Sequence, residues 1–445
     1  MYLVLLLVVA IAAIIVATAK YKMHPFLALI LTAFGFGILA GMPLADVVKS
    51  VNDGFGGTIG YIGIVILAGS IIGTFLERSG GAYRLAEAVL RLTGRKNVPA
   101  AMSIMGFTVS IPVFCDSGFI LLTPLNKALT RRAGISLAGT AIALALGLYA
   151  THTMVPPTPG PIAAAGILKA DLGLVIMWGL LVAAFAAFAG WLFAITVAAR
   201  VPISPDKPGE EAPALPDVTD SPGAFRSSLP IFVPILLIVL NSIAQFPTKP
   251  LGTGVVLEAL AFIGQPVVAL LLGVGIALFL PKKLERAMLS DKGWVGQGIM
   301  DAAGIIIITG AGGAFGKVLQ NSGIARVVGD ALATSNLGIL LPFLIAAGIK
   351  TAQGSSTVSI ITTAGLMAPL LPALGLDGAT ATALTVVAIG AGAMVVSHAN
   401  DSFFWVVTQF SNMSPEIGYR LHTVGTLAQG LVAIAVLWVI TAIVL

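Results

Sequence analysis

Long apolar runs recur along the whole chain, and short polar segments separate them. Each run is close to the ~20 residues that a helix needs to cross the hydrocarbon core of a bilayer. The clearest runs cover residues 2–19, 25–42, 58–76, 134–151, 172–199, 229–247, 263–280, 379–396 and 423–445. Other apolar segments, 99–128, 297–316 and 336–372, are interrupted by Gly, Pro, Ser and Thr. The pattern predicts an all-α polytopic membrane protein with about a dozen membrane-embedded elements, some of them shorter than a full span.

The composition of the chain is that of an integral membrane protein. Of its 445 residues, 58% are hydrophobic and only 10% are charged, whereas soluble domains contain about 25% charged residues. The mean hydropathy is +1.02. The net charge of +5 comes from cations in loops beside the apolar runs, which is typical of membrane proteins and does not indicate nucleic-acid binding. The opening residues lack the basic region and cleavage site of a signal peptide, so we interpret them as a first span.

Cys115 is the single cysteine of the chain, which excludes an internal disulfide and a cysteine-based metal cluster. We interpret it as a small residue of a pocket wall rather than as a nucleophile. The His, Asp and Glu residues also lack a spacing typical of metal ligands. The sequence therefore predicts neither a metal nor another cofactor.

The two halves of the chain resemble each other on either side of a hydrophilic segment. Residues 201–226 are rich in Pro, Asp, Glu and Ser, which is typical of a flexible linker. Three short segments of the first half match segments of the second half in the same order and at nearly the same spacing. The matched pairs are 76–80 with 319–323, 123–125 with 368–370, and 151–153 with 397–399. We expect a first repeat at 1–200 and a second at 227–445; chance similarity between segments rich in Gly and Ala is the alternative.

The distribution of Lys and Arg indicates that the two repeats have opposite orientations. Residues 77–97 carry five cations and two anions, whereas the matched segment 321–335 carries one of each. Cytoplasmic loops are enriched in Lys and Arg. We therefore expect 77–97 and the linker in the cytoplasm and 321–335 outside, as in an inverted repeat.

Two of the interrupted apolar segments are predicted to be re-entrant helical hairpins. Residues 99–128 start beside the cations of 77–97 and end beside those of 127–132. Because both groups favour the cytoplasm, the segment should return to the side from which it starts. Its counterpart in the second repeat is 336–372. Broken helices of this kind, in opposed repeats, are typical of secondary transporters.

The tip of the first hairpin carries an acid inside an apolar segment. Asp116 lies between Pro112 and Gly118, and both of these residues interrupt a helix. An acid at membrane depth is costly unless it is paired, protonated or in contact with water, so it is a candidate functional residue. We expect Asp116 to carry a proton, and Ser117 and Gly118 to contact the substrate. An acid that is paired with a cation for packing alone is the alternative.

A second break follows where four prolines lie within residues 156–161. A helix cannot continue through them, and an ordinary exposed loop needs no such rigidity. Thr153 and Thr158 are candidate substrate contacts beside this break. His152 is a candidate proton-coupling residue, because histidine gains and loses a proton near neutral pH. A structural histidine beside a plain loop is the alternative.

The second hairpin carries a cation among hydroxyl and glycine residues. Lys350 can supply a positive charge for a substrate carboxylate, and nearby hydroxyl groups and backbone amides can complete the site. The candidate substrate contacts are Lys350, Gln353, Gly354, Ser355, Ser356 and Thr357. A lysine that extends its ammonium group to the membrane interface is the alternative.

The last polar segment, 397–401, also interrupts an apolar run. Asn400 can bond a substrate hydroxyl as donor and acceptor at once. His398 and Asp401 are candidate proton-coupling residues, since both can change their charge. Asp301 is a weaker candidate that we expect near the membrane surface.

Together these motifs resemble the gluconate permease family, bacterial proton symporters for gluconate and related acids. The resemblance is carried by residues 115–119, 151–161, 351–355 and 397–402, and it extends over nearly the whole chain. It implies a multi-pass carrier of the bacterial inner membrane, within the wider ion-transporter superfamily, with inverted repeats and a scaffold around a mobile transport unit. The family pattern has Arg where Lys350 stands and Gly where Phe403 stands. The acid therefore stays open among gluconate, ketogluconate, fructuronate and D-serine.

The sequence predicts a carrier rather than an enzyme, with proton-coupled uptake of gluconate or a related hydroxylated monocarboxylate by alternating access. The expected partners are a small organic acid, a proton and the lipid bilayer, without nucleic acid; the oligomeric state, including a homo-oligomer, stays open. Sodium coupling and transport of D-serine or another small acid are alternatives of the same class. A channel would need a continuous polar pathway. An intramembrane hydrolase using Ser117 with His152 would need an oxyanion site, and the sequence indicates neither.

Overall fold

Helices form nearly all of the regular structure of the chain. The computed structural model describes residues 2–93, 97–206, 220–244, 254–324, 337–399 and 401–445. Within these ranges the chain alternates between helices and short loops, and no strand occurs. This confirms the prediction of an all-α membrane fold.

The described residues of the first half form nine α-helices. They are α1 Tyr2–Ile15, α2 Pro25–Leu39, α3 Leu44–Arg78, α4 Gly81–Thr93, α5 Val98–Val109, α6 Cys115–Ala133, α7 Leu137–Met154, α8 Pro159–Leu168 and α9 Leu172–Thr196. Polar caps fix several of the helix starts. Ser136 accepts a hydrogen bond from the Ala138 amide at 3.2 Å, and Asp171 accepts one from the Leu174 amide at 2.8 Å. Such caps satisfy amides that have no partner inside their own helix.

The second half follows the linker. Its described helices are α10 Ala224–Ala244, α11 Val255–Ile263, α12 Pro266–Ala277, α13 Trp294–Asn321, α14 Leu340–Gln353, α15 Ser356–Met367, α16 Ala379–Gly392, α17 Ser402–Phe410, α18 Pro415–Gly418 and α19 Val424–Val444. Of the linker predicted at 201–226, residues 207–219 lie outside the described ranges. Residues 224–226 belong to α10, and the bounds of the linker stay a prediction.

The lengths of the helices agree with about a dozen membrane-embedded elements. Among the described residues, five helical segments are long and apolar enough to cross a membrane, and two bent helix pairs raise the number to seven. Six apolar helices of 10–17 residues are too short to cross alone. Every residue of α7 is buried, whereas only 28% of the α19 span is. The helix α7 therefore lies in the centre of the protein, and α19 presents apolar side chains to lipid.

The helix α3 begins with several polar residues. Asp46, Lys49, Asn52 and Asp53 lie between Leu44 and the apolar run that starts at residue 58. The structure has one helix from Leu44 to Arg78. Polar residues on the exposed face of a long helix do not end it, since Lys and Asp are compatible with helical backbone.

The two predicted hairpins are present, and each is followed by a broken span. The helices α5 and α6 are joined by the turn at 110–114, and α14 and α15 are joined by Gly354 and Ser355. The pair α7 and α8 follows the first hairpin, and the pair α16 and α17 follows the second. The same succession in both halves is what an inverted repeat predicts. The repeat boundaries at 200 and 227 stay predictions, and residues 325–336, which entered the charge comparison, lie outside the described ranges.

The helices α3 and α13 pack along most of their length as an antiparallel pair. A Cβ atom added to Gly54 would lie 2.5 Å from the Gly313 carbonyl oxygen. At the other end of the pair, the Ser70 hydroxyl donates to the Gly298 carbonyl at 2.8 Å. Small residues permit this approach, as is common between helices in membranes.

The base of the first hairpin is tied to the start of the linker. Arg131 Nε donates to Asp206 Oδ1 at 3.0 Å. This guanidinium lowers the pKa of the Asp206 carboxyl below its ordinary value. Asn412, after α17, donates to the Ser204 carbonyl at 3.1 Å. The linker start therefore contacts both halves of the chain.

The packing of α3 on α13 predicts a difference between two neighbouring glycines. The Gly54→Ala variant should lose about 1–3 kcal/mol of stability, because its Cβ would meet backbone atoms of α13 that cannot move aside. The matched control is Gly56→Ala, since a Cβ there has nothing within 4 Å. Thermal unfolding of both variants in one detergent measures the difference. Equal unfolding temperatures would contradict the close approach.

Candidate functional site

The breaks in four pairs of described helices lie close together in the centre of the protein. They are the turn at 110–114, the proline segment at 155–158, the residues 354–355 and the segment 393–401. Side-chain contacts connect them, as the following paragraphs describe. Broken backbone at membrane depth is tolerated only where it is buried in protein or lines a water-filled cavity. The breaks therefore mark a candidate site.

A buried ion pair joins the second hairpin to the broken span that follows it. Lys350 Nζ, in the last turn of α14, lies 2.6 Å from Asp401 Oδ2, immediately before α17. The lysine side chain is 0% exposed and the aspartate side chain 7% exposed. A single buried charge is very costly, whereas a paired one is tolerated. Lys350 is thus fully enclosed and does not extend to the membrane interface.

Three further donors surround the Asp401 carboxylate. The Ser397 hydroxyl donates to Oδ2 at 2.5 Å, and the Tyr149 hydroxyl donates to the same oxygen at 3.3 Å. The backbone amide of Phe403 donates to Oδ1 at 3.1 Å. These contacts come from α7, from the break before α17 and from α17 itself. Both repeats therefore hold the same carboxylate.

Lys350 has a second partner within its own hairpin. Its ammonium group donates to the carbonyl oxygen of Gly354. Gly354 has a φ of +98°, which glycine adopts readily and other residues rarely do. The ammonium group also lies 6.0 Å from the centroid of the Tyr149 ring. The lysine is held by a carboxylate, a carbonyl and an aromatic face.

Residues 422–426, at the start of the last span, hold Ser397 in place. His422 Nε2 lies 3.1 Å from the Ser397 hydroxyl. Thr426 accepts a hydrogen bond from the Ser397 amide at 3.1 Å, and the Thr423 hydroxyl donates to the Ser397 carbonyl at 2.5 Å. These contacts fix Ser397, and through it the orientation of Asp401.

Asp116 lies in the first turn of α6 and is half-buried. The Ser402 hydroxyl donates to its Oδ1 at 3.4 Å, and Cys115 Sγ lies 3.8 Å from its Oδ2. Ser402 follows Asp401 directly, so the two acids are near enough to interact electrostatically. Asp116 has fewer and longer contacts than Asp401.

A cavity of about 280 Å³ opens beside Asp116 and is here called the Asp116 cavity. Its lining residues include Ser70, Thr74, Glu77, Pro112, Ser117 and Asp301. Glu77 and Asp301 lie on α3 and α13, so these helices form one wall of the cavity. The hairpin tip forms the opposite wall. Asp301, which was expected near the membrane surface, thus lines the same cavity as Asp116.

The two histidines predicted for proton coupling differ in their surroundings. His152 is buried at the end of α7, and its Nδ1 has no hydrogen-bond partner among the described residues. Its ring lies 6.0 Å from that of Phe114. His398 is half-buried, and its Nε2 lies 2.8 Å from the Thr351 carbonyl oxygen. His398 therefore connects the break before α17 to the end of α14.

Some of the hydroxyl groups predicted to contact the substrate form hydrogen bonds with the protein backbone. The Thr153 hydroxyl donates to the Tyr149 carbonyl at 3.1 Å, and the Thr158 hydroxyl donates to the Val155 carbonyl at 2.6 Å. Ser355 caps α15 by accepting from the Val358 amide at 3.3 Å. The Thr158 and Ser355 hydroxyls therefore hold backbone at the helix breaks, whereas the Thr153 hydroxyl bonds within α7.

The remaining predicted contacts differ in their access. Ser356 is buried at the start of α15. Thr357 is half-buried beside it. Gly118 packs on α7, where a Cβ would lie 2.7 Å from Leu148 Cδ2. Asn400 and the side chain of Gln353 lie outside the described residues.

Three residues of the site were not among the predicted contacts. Tyr149, Ser397 and His422 touch Asp401 or hold a group that does. Tyr149 precedes His152 by one helical turn inside an otherwise apolar segment, which was a usable signal. His422 begins the last span, and nothing local connects it to Ser397, 25 residues earlier.

Comparison with known proteins agrees with this architecture. The model for the GntP family permease matches residues 1–444. The gluconate permease of Pseudomonas aeruginosa is 37% identical over 439 residues, covering 95% of this chain and 94% of that protein. The D-serine transporter DsdX of Escherichia coli is 32% identical over 434 residues, covering 96% of each. The YdaH transporter of Alcanivorax borkumensis, whose crystal structure has an unusual topology, is similar in fold with a TM-score of 0.64; the match covers 94% of this chain and 98% of that one at 17% identity.

The buried ion pair predicts a strong coupling between its partners. Asp401→Asn should lower the stability by about 3–5 kcal/mol, because it leaves Lys350 buried without a counter-charge, and Lys350→Met should have a similar cost. The double variant should lose less unfolding free energy than the two single variants lose together, by more than about 1 kcal/mol. Thermal unfolding in one detergent measures the cycle. Additive losses would mean that the two side chains do not pair.

Proposed function

Because the chain belongs to the GntP family of permeases, we propose that it is a proton-coupled carrier, and not an enzyme, for gluconate or a related hydroxylated monocarboxylate. It works by alternating access in the bacterial inner membrane, with the linker in the cytoplasm. The observation that carries this proposal is the enclosed Lys350–Asp401 pair where broken helices of both repeats meet. Secondary transporters bind their substrates at such midplane breaks.

The substrate carboxylate binds by taking the place of Asp401 beside Lys350. A lysine ammonium is a compact point charge, and its N–H groups can donate to the substrate carboxylate as they do to Asp401. The exchange keeps the buried ammonium group of Lys350 paired with a carboxylate at every step. The Tyr149 ring adjoins this position, since its centroid lies 6.0 Å from the Lys350 ammonium group.

The hydroxyl groups of a sugar acid need donors and acceptors beside this carboxylate position. Ser356 and Thr357 at the start of α15 supply hydroxyl groups on one side. Ser117, which lines the Asp116 cavity, supplies another. Thr158 and Ser355 hold the backbone of the breaks and Thr153 bonds within α7, so their part is to keep the site in shape.

Asp116 carries the coupled proton in this proposal. It borders a cavity, and among the described residues its side chain has two long contacts, with Ser402 and Cys115, so it can exchange a proton with water. Asp401 is held by four donors and serves as the displaceable partner of Lys350. His152 and His398 remain predicted coupling residues that adjoin the same breaks.

D-serine is a second candidate substrate. It has one carboxylate for Lys350 and an ammonium group that suits the acid Asp116. The relative DsdX carries the name of a D-serine transporter. Sodium instead of a proton is the alternative coupling ion, since carbonyl and hydroxyl oxygens of the breaks are suitable ligands.

Proteoliposomes with an imposed pH gradient test the transport proposal. A gradient of one pH unit should support about tenfold accumulation of gluconate if one proton accompanies each anion. Asp116→Asn should abolish accumulation and keep exchange of gluconate across the membrane, because it removes the proton carrier and not the anion site. Asp46→Asn, an exposed acid in the first turn of α3, is the matched control and should accumulate normally.

Each part of the proposal has its own contradicting result. Full accumulation by Asp116→Asn would remove this residue from the coupling. Accumulation that follows a sodium gradient at uniform pH would show that sodium, and not a proton, is the coupling ion. Uptake of D-serine but not of gluconate would show that the protein is a carrier with a different substrate.

A further inference from the structure

A second, larger cavity lies at the other end of the α3–α13 pair from the Asp116 cavity. It has a volume of about 620 Å³ and is here called the Lys169 cavity. Gly54 faces Gly313 at this end of the antiparallel pair, whereas Ser70 faces Gly298 near the Asp116 cavity. The two cavities therefore lie at opposite ends of this pair. The Asp116 cavity, which Glu77 lines, is at the end beside residues 77–97. Since 77–97 is expected in the cytoplasm, the Lys169 cavity is at the outer end.

The Lys169 cavity is connected to the candidate site by two short helices. The helix α8 starts beside Thr158 and ends at Leu168, and α15 starts at Ser356 and ends at Met367. Residues at their far ends, including Lys169 and Ala368, line the cavity. Helices of this length span about 15–18 Å. The cavity is thus one short helix away from the Lys350–Asp401 pair.

The two cavities differ in charge. Lys169 and Lys317 line the Lys169 cavity together with one acid, Asp53. Glu77, Asp116 and Asp301 line the Asp116 cavity, and its described lining contains no Lys or Arg. An anion is attracted to a cavity with surplus positive charge and repelled by one with three acids. Hydroxyl groups of Thr58 and Tyr61 in the Lys169 cavity suit a hydroxylated anion.

Lys169 caps the end of α8 in a backbone conformation that is unusual for lysine. It ends α8 with a φ of +54°, in the left-handed region where Gly or Asn is usual. Its side chain is exposed and makes no hydrogen bond or ion pair among the described residues. A cation at a helix end is favourable for the helix dipole, and this role would affect stability rather than substrate affinity.

We propose that the Lys169 cavity captures the organic anion from the outer solution before the anion reaches the Lys350–Asp401 site. This capture site rests on the proposed function, since it serves the same transported acid. Its positive charge raises the local concentration of the anion at the mouth of the pathway. The acids of the opposite cavity favour release of the anion on the other side.

Neutral variants of the two lysines test the capture site through initial rates of gluconate uptake. At about 10 mM ionic strength, where charges act over ~30 Å, Lys169→Gln and Lys317→Gln should each raise KM about two- to fivefold with kcat unchanged. The increase should disappear near 1 M salt, where charges are screened within about 3 Å. Lys292→Gln is the matched control, because Lys292 is exposed just before α13, more than about 30 Å along that helix from Lys317.

A chemical restoration of the charge separates attraction from a structural effect. Lys169→Cys should regain the parent KM after treatment with a cationic, membrane-impermeant methanethiosulfonate, and lose affinity further with an anionic one. The parent protein is the background control, since its single cysteine, Cys115, is buried. The reagents should act from the outer side only, and gluconate should slow the reaction.

The outcomes distinguish the capture site from the transport proposal. Normal uptake with unchanged KM in both lysine variants, or equal effects of the two reagents, overturns the capture site alone. Labelling from the cytoplasmic side only overturns its outer location. Parent protein that takes up no monocarboxylate under any gradient overturns the proposed function and the capture site with it.

Discussion

The fold depends on keeping two opposite charges together inside a membrane protein. Lys350 Nζ lies 2.6 Å from Asp401 Oδ2, and both side chains are almost completely buried. Neither charge is tolerable alone at this depth. The surrounding structure meets this constraint with hydrogen bonds from Ser397, Tyr149 and the Phe403 amide. The last span then holds Ser397 through His422 and Thr426, so three separate parts of the chain orient one carboxylate.

Helix breaks make this arrangement possible. A continuous helix satisfies its own amides and carbonyls, whereas a broken one presents them to a neighbour or a substrate. The two hairpins and two broken spans bring such groups together from both repeats. The helices α3 and α13 run past this centre as a closely packed pair, and a cavity opens at each end of it. In the proposed cycle the site is reached from one cavity at a time, which is the requirement for alternating access.

The sequence predicts the elements of this fold better than their contacts. Both hairpins follow from glycines, prolines and the positions of lysine and arginine, and Asp116, Lys350 and Asp401 are visible as polar residues in apolar segments. The pairing of Lys350 with Asp401 is not visible, because these residues are 51 positions apart and only the tertiary fold brings them together. The same reason hides the contact of His422 with Ser397.

A cryo-electron microscopy structure with gluconate bound tests the central claim most directly. The account predicts the gluconate carboxylate at hydrogen-bond distance from Lys350 Nζ, about 3 Å. Asp401 should then have moved away from the ammonium group, and Ser356 or Thr357 should contact the sugar hydroxyls. Gluconate bound elsewhere, with the contact between Lys350 and Asp401 unchanged, would contradict the account.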